Sequence, residues 1–258
     1  MVVQASQRTA SSGPALIRLL ARLTDLDIAE SGQSLSDRLS QWLGWTDAIG
    51  LSTALNGSPP AVRPGARVFG SEEERECARV RTSLSDTIAG GTGRAAVNRR
   101  GGPLKPSTQS MPVETPVDYA VFRQRYLSIQ QTMETGIGNL RGRLRAMLAA
   151  RTPAMARLAV VDAVMERALS ERERSLLAAV PGLLAGHFER LRQAEQQTLA
   201  DAEASGDAEA LEDAATTKPA TPGAWLDAFR KDMQSVLLAE LDVRLQPVEG
   251  LLAALRTR

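Results

Sequence analysis

The 258-residue sequence has one cysteine, Cys77, and one histidine, His187. A single cysteine excludes an intramolecular disulfide and a cysteine-based metal cluster, and fits a reducing compartment. A single histidine leaves a Ser-His-Asp triad, a Cys-His pair or zinc ligation resting on one residue. That residue sits in "AGHFERL", beside Phe188 on a helical pattern, where packing or capping explains it. No Glu-x-x-His pair occurs, which removes a di-iron bundle of that type. Aromatic residues make up 3% of the chain. With β-branched residues also few, strands are disfavoured. The net charge is +1, so no global basic bias recommends nucleic acid as a partner. Long apolar runs are missing as well. The longest, "SLLAAVPGLLAGHF" at 175–188, is too short to span a bilayer and contains Pro181. The N-terminal "MVVQASQRTASSG" has no apolar core, so no signal peptide is expected. These absences predict a soluble, cytoplasmic protein without a transmembrane segment.

What is present is alanine, leucine, arginine and glutamate, the strong helix formers. The hydrophobic content of 43% suffices for a core. The expected class is all-α: an elongated helical bundle with a long coiled-coil-like helical hairpin and a short N-terminal helical unit. Residues 1–57 form that unit. In "GPALIRLLARLTD", Leu16, Leu19, Leu20 and Leu23 make one stripe. In "LSDRLSQWLGWTDAIGLSTAL", Ser34 is the N-cap, and a helix to about Leu55 is expected to bend near Gly50. There Trp42 lies at the stripe's centre, as a core residue would. Trp45 lies at its edge, free to stack on Arg38 or to meet a partner.

Residues 58–70 read as a Pro/Gly linker. Residues 71–89 are an amphipathic helix with Ser71 and Glu74 in a capping-box pattern, ended by Gly90-Gly91. Residues 90–117 lack periodicity and read as a flexible or disordered linker. Residues 118–258 make the long hairpin with its C-terminal helix. Its apolar positions Tyr119, Phe122, Tyr126, Ile129, Met133, Ile137, Leu140, Leu144 and Met147 follow heptad spacing with one stutter. A second helix starts at Thr152-Pro153 and breaks at Pro181-Gly182. An acidic loop spans 201–220. Thr221-Pro222 caps the last helix, which Pro247 interrupts.

Little in this pattern carries chemistry. The carboxylates at 72–76 serve helix capping, and those at 201–213 lie in a breaker-rich segment. "GGTGRAAVNRRGG" lacks both the Gly-Lys-Ser/Thr ending and the preceding strand of a phosphate loop. No catalytic residue, cofactor or metal ligand is predicted, and the chain reads as a non-enzymatic interaction or scaffold protein. Its candidate protein contacts are Trp45, Tyr119, Phe122, Tyr126, Ile129 and Met133. The last five are either core or the seam of a homo-oligomer. The protein partner itself is not identified by any motif. Two arginine-rich stretches, 94–105 and 141–157, give the alternative of a nucleic-acid-associated protein. Arg141 and Arg145 share a face and are the candidate anion contacts, whereas Arg143 points away. Ion pairs between helices account for them as well, and nucleic acid remains the disfavoured partner.

The segments "GPALIRLLARLTDLDIAESGQSLSDRLSQWLGWTDAIGLSTALNG" and "VDYAVFRQRYLSIQQTMETGIGNLRGRLRAMLAA" resemble a bacterial family of uncharacterised helical proteins of similar length, a domain of unknown function. The resemblance runs over most of the chain outside the linkers. It implies genes placed beside membrane motor-like subunits and an outer-membrane-protein-A-like, peptidoglycan-binding partner. By that resemblance the chain is a cytoplasmic accessory of an envelope complex. It implies no activity, cofactor or catalytic residue.

Overall fold

The computed structural model describes residues 14–25, 33–58, 70–92, 117–205 and 223–257. Among these the only regular elements are α-helices: α1 Ala15–Thr24, α2 Leu35–Trp42, α3 Trp45–Asn56, α4 Ser71–Thr92, α5 Tyr119–Ala149, α6 Pro153–Ala178, α7 Val180–Ser205 and α8 Ala224–Arg256. The class is all-α, as composition predicts.

Local chemistry sets the boundaries. Ser34 and Asp37 form a reciprocal capping box on α2. Asp118 accepts from the Ala120 N–H at 2.9 Å to start α5. Thr152 accepts from the Met155 N–H, and Pro153 takes the first position of α6. Other boundaries differ from expectation. Residues 35–56 break at Leu43–Gly44 rather than near Gly50, because Gly44 is an extended N-cap whose N–H donates to Asp47 at 3.3 Å. Ser71 is inside α4 rather than its cap; the Gly70 N–H donates to Glu73 at 2.9 Å. α4 also continues through Gly90 and Gly91, and Gly91 suits a close helix approach there. A Cβ on Gly91 would lie 2.7 Å from the Arg125 guanidinium and 3.0 Å from the Ile129 Cδ1. The break between α6 and α7 falls at Ala179, so Pro181 occupies the first turn of α7, where its missing N–H has no helical partner to lose. Pro247 lies inside α8 and does not end it: Leu245, Val248, Leu251, Leu252 and Leu255 are buried on both sides of it, and that packing holds the helix.

α5 is the central rod, packing against α4, α6, α7 and α8. At 1.5 Å per residue, α5 and α8 are each about 45–50 Å long. The heptad positions of α5 make the core with α8: Ile129, Met133, Ile137, Leu140 and Leu144 meet Phe229, Met233, Val236, Leu237 and Leu241 in one buried cluster. Cys77, Leu84 and Ile88 add α4 to that cluster. The N-terminal segment does not gather into one unit. α1 buries Leu16, Leu20 and Leu23 against α7 and α8, whereas α2 and α3 lie on α6. The expected linkers 58–70 and 90–117 and the acidic loop 201–220 fall largely outside the described residues.

Candidate functional site

α3 is the least amphipathic helix of the bundle and carries one charged residue, Asp47, which caps it. Its inner side lies on α6. A Cβ on Gly50 would lie 3.4 Å from Arg167 and 3.6 Å from Val164, and Ala54 is buried. Arg157 of α6 donates to the Gly57 carbonyl at 3.3 Å. These two contacts make α3 antiparallel to α6. The opposite side of α3, read at 100° per residue, presents Trp45, Ile49, Ser52 and Leu55. Trp45 is 81% exposed, Ile49 50% and Leu55 51%. Ser52 and Asn56 share this outer side with them, so the exposed face is apolar at Trp45, Ile49 and Leu55 and uncharged throughout.

The two tryptophans thus separate. Trp42, expected in the core, is half-buried at the end of α2 under the Arg172 guanidinium, 5.5 Å from its ring centroid. The helix break explains this: with α2 ending at Trp42, its ring rests on α6 and not in the α5–α8 core. Trp45 begins α3 and stays in solvent.

The heptad face of α5 is not an intermolecular seam. Tyr126, Ile129 and Met133 are buried within the chain. Tyr119 and Phe122 are half-buried in an aromatic cluster with Phe188, Phe229 and Trp225, ring centroids 5.0–6.2 Å apart. The Tyr119 hydroxyl donates to the Pro181 carbonyl, and burial pushes its pKa up to about 12. These five residues are corrected from partner contacts to core because α7 and α8 fold back over the face that the sequence leaves open.

Arg141 and Arg145 are corrected too. Arg141 forks onto Asp162 at 2.6–3.2 Å. Arg145 pairs with Asp162 at 2.8 Å and with Glu166. An anion approaching them would have to displace these carboxylates. In the rest of the 141–157 stretch, Arg143 pairs with Glu76 at 2.7 Å, Arg151 donates to the Leu255 carbonyl and Arg157 to Gly57. Arg143, first among the causes, holds the Glu76 carboxyl below its ordinary value. Arg94, Arg99, Arg100 and Lys105 lie outside the described residues. His187 is buried between α7 and α8, its Nε2 2.9 Å from Asp232.

The sequence reading missed one polar centre. Glu240 of α8 is fully buried. It accepts from the Tyr126 hydroxyl at 2.6 Å, from Gln130 Nε2 at 3.0 Å and from Arg244 Nε at 2.9 Å. Burial, then the charge and hydrogen bond of Glu240, drive the Tyr126 hydroxyl far above its ordinary pKa. The legible signal was a carboxylate on the apolar face of α8, one turn beyond Val236 and Leu237. Its partners come from α5 and α8 alone, so it ties one axial setting of α5 against α8. Among the described residues no group of histidine, cysteine and carboxylate side chains could hold a metal ion. None of the described helices is long and apolar enough to cross a membrane.

The class so defined is an all-α bundle with a buried polar centre at Glu240 and an exposed apolar cluster on α3. Residues 2–257 match the family described as "Protein of unknown function (DUF3348)", and the chain belongs to that family. No curated protein and no solved structure matches it.

Proposed function

We propose that this chain is a non-enzymatic interaction protein that docks an uncharged, apolar helix of a partner protein on the outer face of α3. The observation that carries this is Trp45, 81% exposed, at the head of a helix already packed on its other side. Tryptophan is among the residues most enriched at interface hot spots, and Ile49 and Leu55 extend the apolar surface around it. No charged side chain projects from this face, so the partner is selected by shape and apolar contact rather than by charge. The resemblance read from the sequence supports a partner in an envelope complex, with the chain on its cytoplasmic side.

The test is cross-linking in the native cell, read by mass spectrometry, on the wild-type chain and on Trp45→Asp. The protein that couples to the wild type is then titrated in purified form against both. Its affinity is expected to fall about 30-fold or more with Trp45→Asp, and the melting temperature of the variant to stay within a degree or two of wild type. Equal binding by the variant removes the docking role. Binding of duplex or single-stranded DNA that weakens steeply with salt would instead favour the nucleic-acid reading, which now rests on the 94–105 stretch.

A further inference from the structure

α1 and the pair α2–α3 are attached to the bundle differently. α1 has ten residues and places Leu16, Leu20 and Leu23 in the large buried cluster. α2 and α3 have eight and twelve residues, and none of their described apolar side chains joins that cluster or packs against it. Both lie on α6. Ala54, on the side of α3 that faces α6, is the one buried residue among those described in the pair, and Leu39, Trp42, Leu43 and Leu51 are half-buried. The polar contacts with α6 are of the weaker kind. Arg157 donates to the Gly57 carbonyl at 3.3 Å, beyond the usual optimum. The Arg172 guanidinium over Trp42 belongs to an exposed residue, where such stacking contributes least. Asp37 and Asp47 cap their own helices. Arg157 Nε is buried beside the end of α3 with no hydrogen-bond partner among the described residues, a cost that water relieves once α3 lifts away.

We infer that residues 35–56 are an order–disorder switch: they leave α6 and lose helix together while α1 and α4–α8 stay folded, and the docking face of α3 exists only while they are in place. An element held by few buried contacts opens at the low end of a protein's local stabilities. Helices as short as α2 and α3 are marginal in water by themselves, so leaving α6 also removes what keeps them helical. Only Leu43 and Gly44 separate the two helices, which couples their loss. Trp45, Ile49 and Leu55 share one side only at helical spacing, and that alignment goes with the helix. The consequence for binding rests on the docking role proposed above. A partner that needs the aligned face binds the docked fraction alone, and by linkage it holds α2 and α3 on α6.

Hydrogen exchange on the full chain tests the switch without a partner. It is read peptide by peptide by mass spectrometry, over urea concentrations below the unfolding transition. Amides of α2 and α3 should be protected about 1,000-fold or more below those of α5 and α8. Their exchange should depend little on urea, because the opening exposes little surface. Ala54→Lys puts a charge on the side of α3 that faces α6. It should bring both short helices to the exchange of an unfolded peptide, and leave the protection of α5 and α8 and the melting temperature as in the wild type. Trp45→Asp should leave the exchange of α2 and α3 within a few-fold of wild type, so failure of docking and failure of the switch are read separately. Protection of α2 and α3 equal to that of α5 and α8, with the same urea dependence, overturns the proposal. So does a loss of protection in α5 and α8 on Ala54→Lys. Exchange of α3 with α2 still protected overturns the coupling of the two helices.

Discussion

Glu240→Ala should destabilise the bundle by about 3–5 kcal/mol, the cost of removing one partner from a buried charged network. The carboxylate has no exposed surface. Its removal leaves the Arg244 guanidinium, itself largely buried, with only the distant Glu173 oxygen at 3.7 Å. It also takes the acceptor from the Tyr126 hydroxyl, and leaves Gln130 only the Leu177 carbonyl at 3.2 Å. Thermal melting should show a drop of roughly 6–20 °C, taking 2–4 °C per kcal/mol for a chain of this size. An apolar replacement of the whole group, Tyr126→Phe with Glu240→Leu and Arg244→Leu, should recover much of that loss, because the desolvation cost of the charges goes with them. A near-neutral Glu240→Ala would show that water reaches the site. The centre is then best understood as a register device: Tyr126, Gln130 and Glu240 are satisfied together only in one axial setting of α5 against α8.

That centre also marks where the sequence ceases to be legible. The heptad positions of α5, the caps at Ser34, Asp118 and Thr152, and the existence of the helices all follow from local spacing and side-chain chemistry, and local rules read them. What covers the heptad face does not, because a row of Ile129, Met133 and Leu140 serves an intramolecular core and an oligomer seam equally well. The answer lies in α8, more than a hundred residues away. Arg141 and Arg145 show the same limit. Their clustering without nearby acids suggests an anion site, but Asp162 and Glu166 arrive from the facing helix of the hairpin. The error at Trp42 is of another kind. Projecting residues 35–55 on one helical wheel assumes one helix, and the Gly44–Asp47 cap breaks the wheel between the two tryptophans. Trp45 was readable as an edge residue. Its full exposure depends on where α6 lies.

Ile129→Asp and Met133→Asp should each unfold the protein rather than dissociate an oligomer. Both side chains are within 3% of complete burial, in the cluster that joins α5 to α8. Each change deletes an apolar side chain whose loss alone costs about 2–5 kcal/mol and buries a carboxylate, which costs several kcal/mol more or is avoided by protonation; at Ile129 the neighbouring Arg125 guanidinium offsets part of that second cost. The sum approaches the whole stability of an ordinary domain, about 5–15 kcal/mol. Circular dichroism should show collapse of the cooperative transition, and hydrogen exchange should show loss of protection throughout α5 and α8. If these variants instead remain folded and change only their mass in solution, α5 contacts another copy and the enclosed core is refuted. The contrast with the surface variant carries the functional argument. Trp45→Asp puts charge on an apolar side chain that no fold contact requires, so under the proposed docking role association should change while stability does not. Apolar residues of similar chemistry thus divide by consequence: those on α5 hold the chain together, whereas Trp45 on the outer face of α3 lies 81% exposed and outside that core.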